Sequence, residues 1–231
     1  MFNKHIFASR PELDQAFAEQ VAAQLQSLIE KNGKASIAFS GGSTPKGFFA
    51  ALSVQDIAWD KVTVTLADER WVEYEDNNSN TRLLTENLLT NNAKVARLFS
   101  LKRDGALDAD NLAKLNQDAN DGLLPLDIVI LGMGEDGHTA SLFPCSAEIE
   151  QGLDQQAAPG LLKVVPTSAP FERISFNFSA LIQASHLYLH LVGDNKMAVL
   201  DQAISSKDSM QMPIRAFLHH DVKTVDIFWA E

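Results

Sequence analysis

Residues 126–132 read LDIVILG, an almost unbroken apolar run closed by a glycine. A strand that alternates apolar and polar residues can leave one face in water; this one cannot. The run fits a central strand of a parallel sheet, covered on both faces, so the rest of the chain must supply two covering layers. It does. Residues 10–31 place Leu13, Phe17, Val21, Leu25 and Leu28 at helical spacing, with Ser9 as N-cap and Asn32-Gly33 as stop. ASIAF at 35–39 is a short buried strand, and STPKGFFAAL then opens a helix with Thr44 at the N-cap and Pro45 at its first position. KVTVTLA at 61–67 alternates and is β-branched, hence a strand. A helix starts near Ser79 or Asn80, a short strand falls in VARLFSL, and LDADNLAKLNQDA is a helix. LLKVVP, RISFNF, SHLYLHLVG and TVDIFWA are strands, with NKMAVLDQAIS a helix between the last two. This alternation makes the fold class α/β: a mainly parallel open sheet with helices on both faces. Residues 145–160 are the softest stretch and read as an excursion, so 1–231 form a single domain.

Charge narrows the partners. A net charge of −11 disfavours nucleic acid or an anionic membrane across the whole surface. It still permits a small anion held by a local cluster of donors. The single cysteine, Cys145, allows no intrachain disulfide and no four-sulfur zinc site. The N-terminus carries charge early and shows no signal peptide, and no apolar window is long enough for a membrane helix. A cytoplasmic protein is expected, with no obligate protein partner evident.

In an open α/β sheet, ligands bind beyond the carboxyl ends of the strands, and four clusters lie there. The first is FSGGSTP at 39–45. Gly41 and Gly42 allow close backbone approach, Ser43 and Thr44 add hydroxyls, and a helix start adds unpaired N–H groups, so phosphate is the natural guest. A nucleoside-triphosphate loop is not indicated, because Gly47 is followed by Phe48 and Phe49. The plainer alternative is a tight strand–helix turn. The second cluster is LADERW at 66–71, where Asp68 and Arg70 share a face; they either hold a polar substrate or pair with each other.

The third is GMGEDGHTASLFP at 132–144, a literal G-x-G-x-x-G followed at once by His138. No long helix and no strand ending in an acid follow at dinucleotide spacing, so that cofactor is rejected. The glycines instead suit a sharp turn that leaves Asp136 and His138 at a strand mouth. Imidazole titrates near neutrality, which suits a general base, and a nearby carboxylate could orient it. A hydrogen-bonded structural imidazole is the alternative. Ser141 lies off the hydrolase elbow pattern. The fourth cluster pairs Arg173, at a strand start, with Lys196 in the first turn of a helix, where a cation opposes the helix dipole, a placement that makes sense if it neutralises an anion; a solvent-exposed lysine is the alternative. His186 and His190 are four apart, but on a strand that separates them by about 13 Å, so no metal site is expected.

Taken in order, SGGSTP, DERWV with NSN after it, GMGEDGHTASLFP, an Arg before ISF, and GDNK resemble the glucosamine-6-phosphate isomerase/6-phosphogluconolactonase family, from about residue 35 to 228. After the histidine the deaminases typically read like IAFNEP, whereas this chain has TASLFP, which favours the lactonase branch. The resemblance implies a modified Rossmann-like layer fold with no nucleotide, metal or other cofactor. It implies hydrolysis of 6-phosphoglucono-1,5-lactone in the oxidative pentose phosphate pathway. His138 would then activate water, with Asp136 or Asp68 orienting it or the substrate. Backbone N–H groups of 134–138 or of Gly41-Gly42, or Arg70, would receive the oxyanion. The substrate phosphate would lie on Ser43 and Thr44, with Arg173 and Lys196 supplying charge and Gly137 in the binding set. An amino-sugar-phosphate deaminase/isomerase and a non-catalytic sugar-phosphate-binding module are the alternatives.

Overall fold

The computed structural model of the protein describes residues 1–231. The chain runs β1 (Phe2–Phe7), α1 (Arg10–Asn32), β2 (Ala35–Phe39), α2 (Lys46–Ser53), β3 (Val62–Leu66), β4 (Asp68–Arg70), α3 (Asn80–Asn87) and β5 (Arg97–Leu98). It continues through α4 (Ala109–Gly122), β6 (Ile128–Leu131), α5 (Ile149–Leu153), β7 (Leu161–Val164), β8 (Arg173–Phe176) and α6 (Phe178–Ile182). It ends with β9 (His186–Val192), α7 (Asp194–Ile204), α8 (Ile214–Leu218) and β10 (Val225–Ala230). No helix is long and apolar enough to cross a membrane.

Seven strands form one all-parallel sheet in the order β1-β10-β9-β6-β2-β3-β5. The 126–132 run supplies β6, fully buried and central. From β2 the chain moves towards β3 and β5; from β6 it moves the other way, to β9 and β10. Right-handed crossovers therefore send α1, α2 and α3 to one face, and α4, α7 and α8 to the other. The packing agrees: α1 lies on α2 and α2 on α3, while α7 lies on α8. Neighbouring strands whose connections leave in opposite directions open a crevice at their carboxyl ends, and here those strands are β2 and β6.

The structure departs from the sequence expectations in four places. First, β7 and β8 are strands but do not join the parallel sheet. They form a separate antiparallel sheet with β4, in the order β4-β8-β7. Second, residues 2–7 form an edge strand that pairs only with β10. Its weak apolar pattern follows from that position, since an edge strand needs less burial. Third, α2 begins at Lys46 with Pro45 in the cap position and no side-chain cap, so Thr44 is not its N-cap. Fourth, the 145–160 excursion contains the short α5, and α8 falls where no element was expected.

Helix α1 follows its sequence signals. Ser9 Oγ accepts from Glu12 N, and Gly33 ends the helix in the left-handed region at φ 77°. Its apolar stripe reaches the sheet through Phe17, fully buried and stacked on Phe48 at 4.6 Å and Phe228 at 4.3 Å. In the same layer His190 meets the edges of Phe17 and Phe48, 5.3 and 5.5 Å away. Burial first, and then the Arg10 charge, push the His190 imidazole down to about 3.

A depressed imidazole is neutral in the fold and protonated in the unfolded chain once pH drops below its ordinary value. Its contribution is therefore complete above about pH 6.5 and is lost as pH falls towards 3. Asp14, raised by burial against the pull of Arg10 and a Phe48 N–H bond, acts in the opposite sense. Comparison with a variant isolates the histidine. His190→Phe is expected to remove about 2 kcal/mol of the stability lost between about pH 7 and 5. Urea unfolding at both pH values checks this; an unchanged pH difference contradicts it.

Candidate active site

The β2/β6 crevice is a cavity of about 260 Å³ whose wall contains residues from all four clusters. Gly41, Gly42, Ser43, Thr44, Asp68, Arg70, His138, Arg173 and Lys196 all line it. Asp136 and Gly137 do not. Asp136 stands behind the His138 ring. Gly137 is a turn-former: its φ is 75°, its carbonyl accepts from Ile214 N at 2.9 Å, and a Cβ there would strike Met212.

The floor is a seam between β2 and β6. Ser40 N donates to Ile130 O at 2.9 Å, and Gly132 N donates to Ser40 Oγ at 3.0 Å. Beyond Ser40 the loop leaves the sheet, and no protein acceptor receives the N–H of Gly41, Gly42, Ser43 or Thr44. A bare run of amides at a helix start is an anion site. Gly41 must be glycine because Asn80 occupies the space a Cβ would take.

The opposite wall is the turn after β6. Gly134 N donates to His138 O at 2.8 Å and Gly137 N to Gly134 O at 3.1 Å. His138 N donates to Asp136 Oδ1 at 3.1 Å. These three N–H groups are therefore engaged and cannot face an oxyanion. A Cβ at Gly134 would overlap the His138 ring, so this glycine lets the imidazole fold over its own turn. The ring is fixed on two sides: it stacks on Phe143 at 4.0 Å, and its Nδ1 lies 2.5 Å from Asp136 Oδ1. Partial burial alone would raise the Asp136 carboxyl. The His138 hydrogen bond and charge, with backbone N–H bonds, outweigh it and hold the carboxyl below its ordinary value. An ionised Asp136 takes the Nδ1 proton as partner and leaves Nε2 as the basic nitrogen.

Asp68 has a different task. Its Oδ2 accepts from Ser141 Oγ at 2.5 Å and lies 3.9 Å from Arg173 Nη1. The ion pair expected as one possibility between Asp68 and Arg70 does not form; Arg70 Nη1 instead donates to Asn78 O at 2.7 Å. Pairing of β4 with β8 sets Arg70 opposite Arg173, so two guanidiniums enter from the small sheet. Arg173 is buried against the Phe143 ring at 5.0 Å, and that burial, more than any charge, lowers its pKa despite Asp68. The Nε atoms of both arginines are buried without a partner. Buried donors left unsatisfied are costly. Lys196, at the third position of α7, forms no ion pair.

Several supporting residues carried no individual expectation. Glu69, 1% exposed, accepts from Asn80 N, Thr81 N, Thr81 Oγ1 and Arg70 N, tying β4 to the start of α3. Burial raises its carboxyl, and the Thr81 and backbone bonds only partly offset this. Asn80 Nδ2 donates to Asp68 O at 3.2 Å. Ala140 adopts φ 48°, a left-handed turn that sends Ser141 back to Asp68. The motif NSN after DERWV was the available signal for Asn80. Nothing local signals Ser141 as a partner of a carboxylate 73 residues away.

Comparison with known proteins agrees with this architecture. The family described as glucosamine-6-phosphate isomerases/6-phosphogluconolactonase matches residues 8–229. A 6-phosphogluconolactonase of Rhizobium meliloti is 44% identical over 99% of this chain and 98% of its own. One of Pseudomonas putida is 41% identical over 97% and 91%. The crystal structure of a 6-phosphogluconolactonase from Shewanella baltica superposes with a TM-score of 0.95 at 42% identity, covering 100% of this chain and 98% of that one. The chain belongs to the glucosamine-6-phosphate isomerase/6-phosphogluconolactonase family.

Proposed function

We propose that this protein hydrolyses 6-phospho-D-glucono-1,5-lactone to 6-phosphogluconate, in the cytoplasm and within the oxidative pentose phosphate pathway. One observation carries the reading. A carboxylate-oriented imidazole opens on the same cavity as four unclaimed backbone amides. The full-length relatives of that name support the same substrate.

The phosphate lies on the Ser43–Thr44 end, where bare amides, two hydroxyls and Lys196 meet it. Its binding energy orients the lactone C1 at the His138 end. Water attacks C1 as His138 Nε2 takes one of its protons, and Asp136 holds the imidazolium that forms. The carbonyl electrons move to oxygen, where the Gly41 and Gly42 amides are donors not otherwise engaged and Arg70 lines the same cavity. Collapse of the tetrahedral intermediate breaks the C1–O5 ring bond, and His138 returns the proton to the departing O5. Asp68, held by Ser141, sets the position of Arg173 rather than that of the histidine. The lactone is an activated ester, so the scheme needs no covalent nucleophile.

A general base contributes about 10²–10⁴-fold. His138→Ala is expected to lose a factor of that order in kcat while still binding 6-phosphogluconate. The assay makes lactone in situ with glucose-6-phosphate dehydrogenase and reads the product as a second NADPH through 6-phosphogluconate dehydrogenase. Full turnover in the variant removes His138 from the base role, and wild-type protein that leaves the spontaneous rate unchanged removes the lactonase reading.

Lys196→Ala should act on binding instead. Losing one charge-assisted contact to the phosphate raises KM about tenfold or more and leaves kcat within about twofold. Loss of turnover at saturating lactone with product binding intact would reassign Lys196 to the chemical step.

A further inference from the structure

The amides of the anion loop do not hold themselves in place. Arg10, the first residue of α1, donates through Nη2 to Thr44 O at 2.8 Å and Ser43 O at 3.3 Å. Asp14, one turn later and 7% exposed, lies 3.8 Å from Arg10 Nε. A Cβ at Gly47 would fall on the Asp14 carboxylate, so the two helix starts are in direct contact. The first turn of α1 therefore grips the loop–helix junction from outside the cavity.

A trans peptide is planar, so its C=O and N–H point in opposite directions. Holding the Ser43 carbonyl turns the Thr44 N–H away from Arg10. Thr44 lines the cavity and its N–H has no acceptor in the protein. The Thr44 carbonyl is followed by Pro45, which has no N–H to direct. Drawing both carbonyl oxygens onto a guanidinium also removes two negative dipole ends from the neighbourhood of an anion.

We propose that Arg10 is a positioning residue for phosphate: tethered by Asp14, it orients the Ser43–Thr44 peptide so that the Thr44 amide meets the substrate phosphate, without touching the phosphate itself. This rests on the phosphate assignment made above. Asp14 stands behind Arg10 as a buried anion with few alternatives. Its Oδ1 has no hydrogen-bond partner and its other polar neighbour, His190 Nε2, is 3.9 Å away and equally unpartnered. Arg10 is the cation that opposes the burial raising this carboxyl.

The test compares wild type, Arg10→Ala and Arg10→Lys on two substrates, 6-phosphoglucono-1,5-lactone and unphosphorylated glucono-1,5-lactone. It adds the dissociation constant of inorganic phosphate. Arg10→Ala is expected to raise KM for the phosphorylated lactone and the phosphate dissociation constant about tenfold each, with kcat within about twofold and activity on the unphosphorylated lactone unchanged. Arg10→Lys keeps the charge, but its one nitrogen cannot hold the two carbonyls and face Asp14 as Nη2 and Nε do together, so it should recover only part of the loss. Equal losses on both substrates would reduce Arg10 to a structural role, and unchanged phosphate affinity in Arg10→Ala would overturn the proposal. If wild type itself does not prefer the phosphorylated lactone, the phosphate assignment fails first. If it does and Arg10→Ala keeps that preference, the Arg10 inference alone fails.

Discussion

Strands β2 and β6 lie side by side, Phe39 in register with Ile130, and then part. One continues into α2 and the other into the glycine turn and its histidine, and their onward connections travel to opposite edges of the sheet. Nothing in the parallel sheet can pair the backbone groups that emerge there. The amides of 41–44 are left without acceptors, while the turn at 134–138 closes on itself and presents a side chain instead. The cavity, its anion end and its imidazole end all descend from that one divergence. Their separation is set by the sheet rather than by mobile loops, which is the arrangement positioning requires.

The small antiparallel sheet adds what the parallel sheet cannot. An acidic protein of net charge −11 must gather cations locally to hold an anion. β4 and β8 do this by pairing Arg70 with Arg173 across the cavity mouth. Two like charges in apposition are unfavourable alone. Asp68, Ser141 and the Phe143 ring stabilise Arg173, and Glu69 anchors β4 to α3. Phe143 serves twice, beneath Arg173 and against His138, so the aromatic ring couples the charge wall to the His138 turn.

Much of this was legible in the sequence, for physical reasons that differ by residue. The β6 run is visible because burial on both faces forces an unbroken apolar segment. His138 and the 41–44 loop are visible because glycine clusters after strands have few other uses. Asp136 is visible as a neighbour of the histidine, but its choice over Asp68 is not. That choice depends on Ser141, which claims Asp68 from a distant point in the chain. The departure of β7 and β8 into a second sheet was hidden because their runs carry strand propensity without any mark of strand direction. Edge strand β1 was hidden because little burial is demanded of it. In the sequence nothing sets Arg10 and Asp14 apart from the other polar residues at the start of an amphipathic helix. Their grip on the anion loop appears only when α1 is laid against α2.

The central claim is that a single crevice holds phosphate at one end and presents the reacting carbon to an oriented imidazole at the other. A crystal structure of the protein with bound 6-phosphogluconate tests this most directly. The account predicts phosphate oxygens on the Ser43 and Thr44 amides beside Lys196, with the C1 carboxylate within hydrogen-bond reach of His138 Nε2. A ligand bound in the reverse sense, with its carboxylate on the loop and its phosphate against His138, would contradict it.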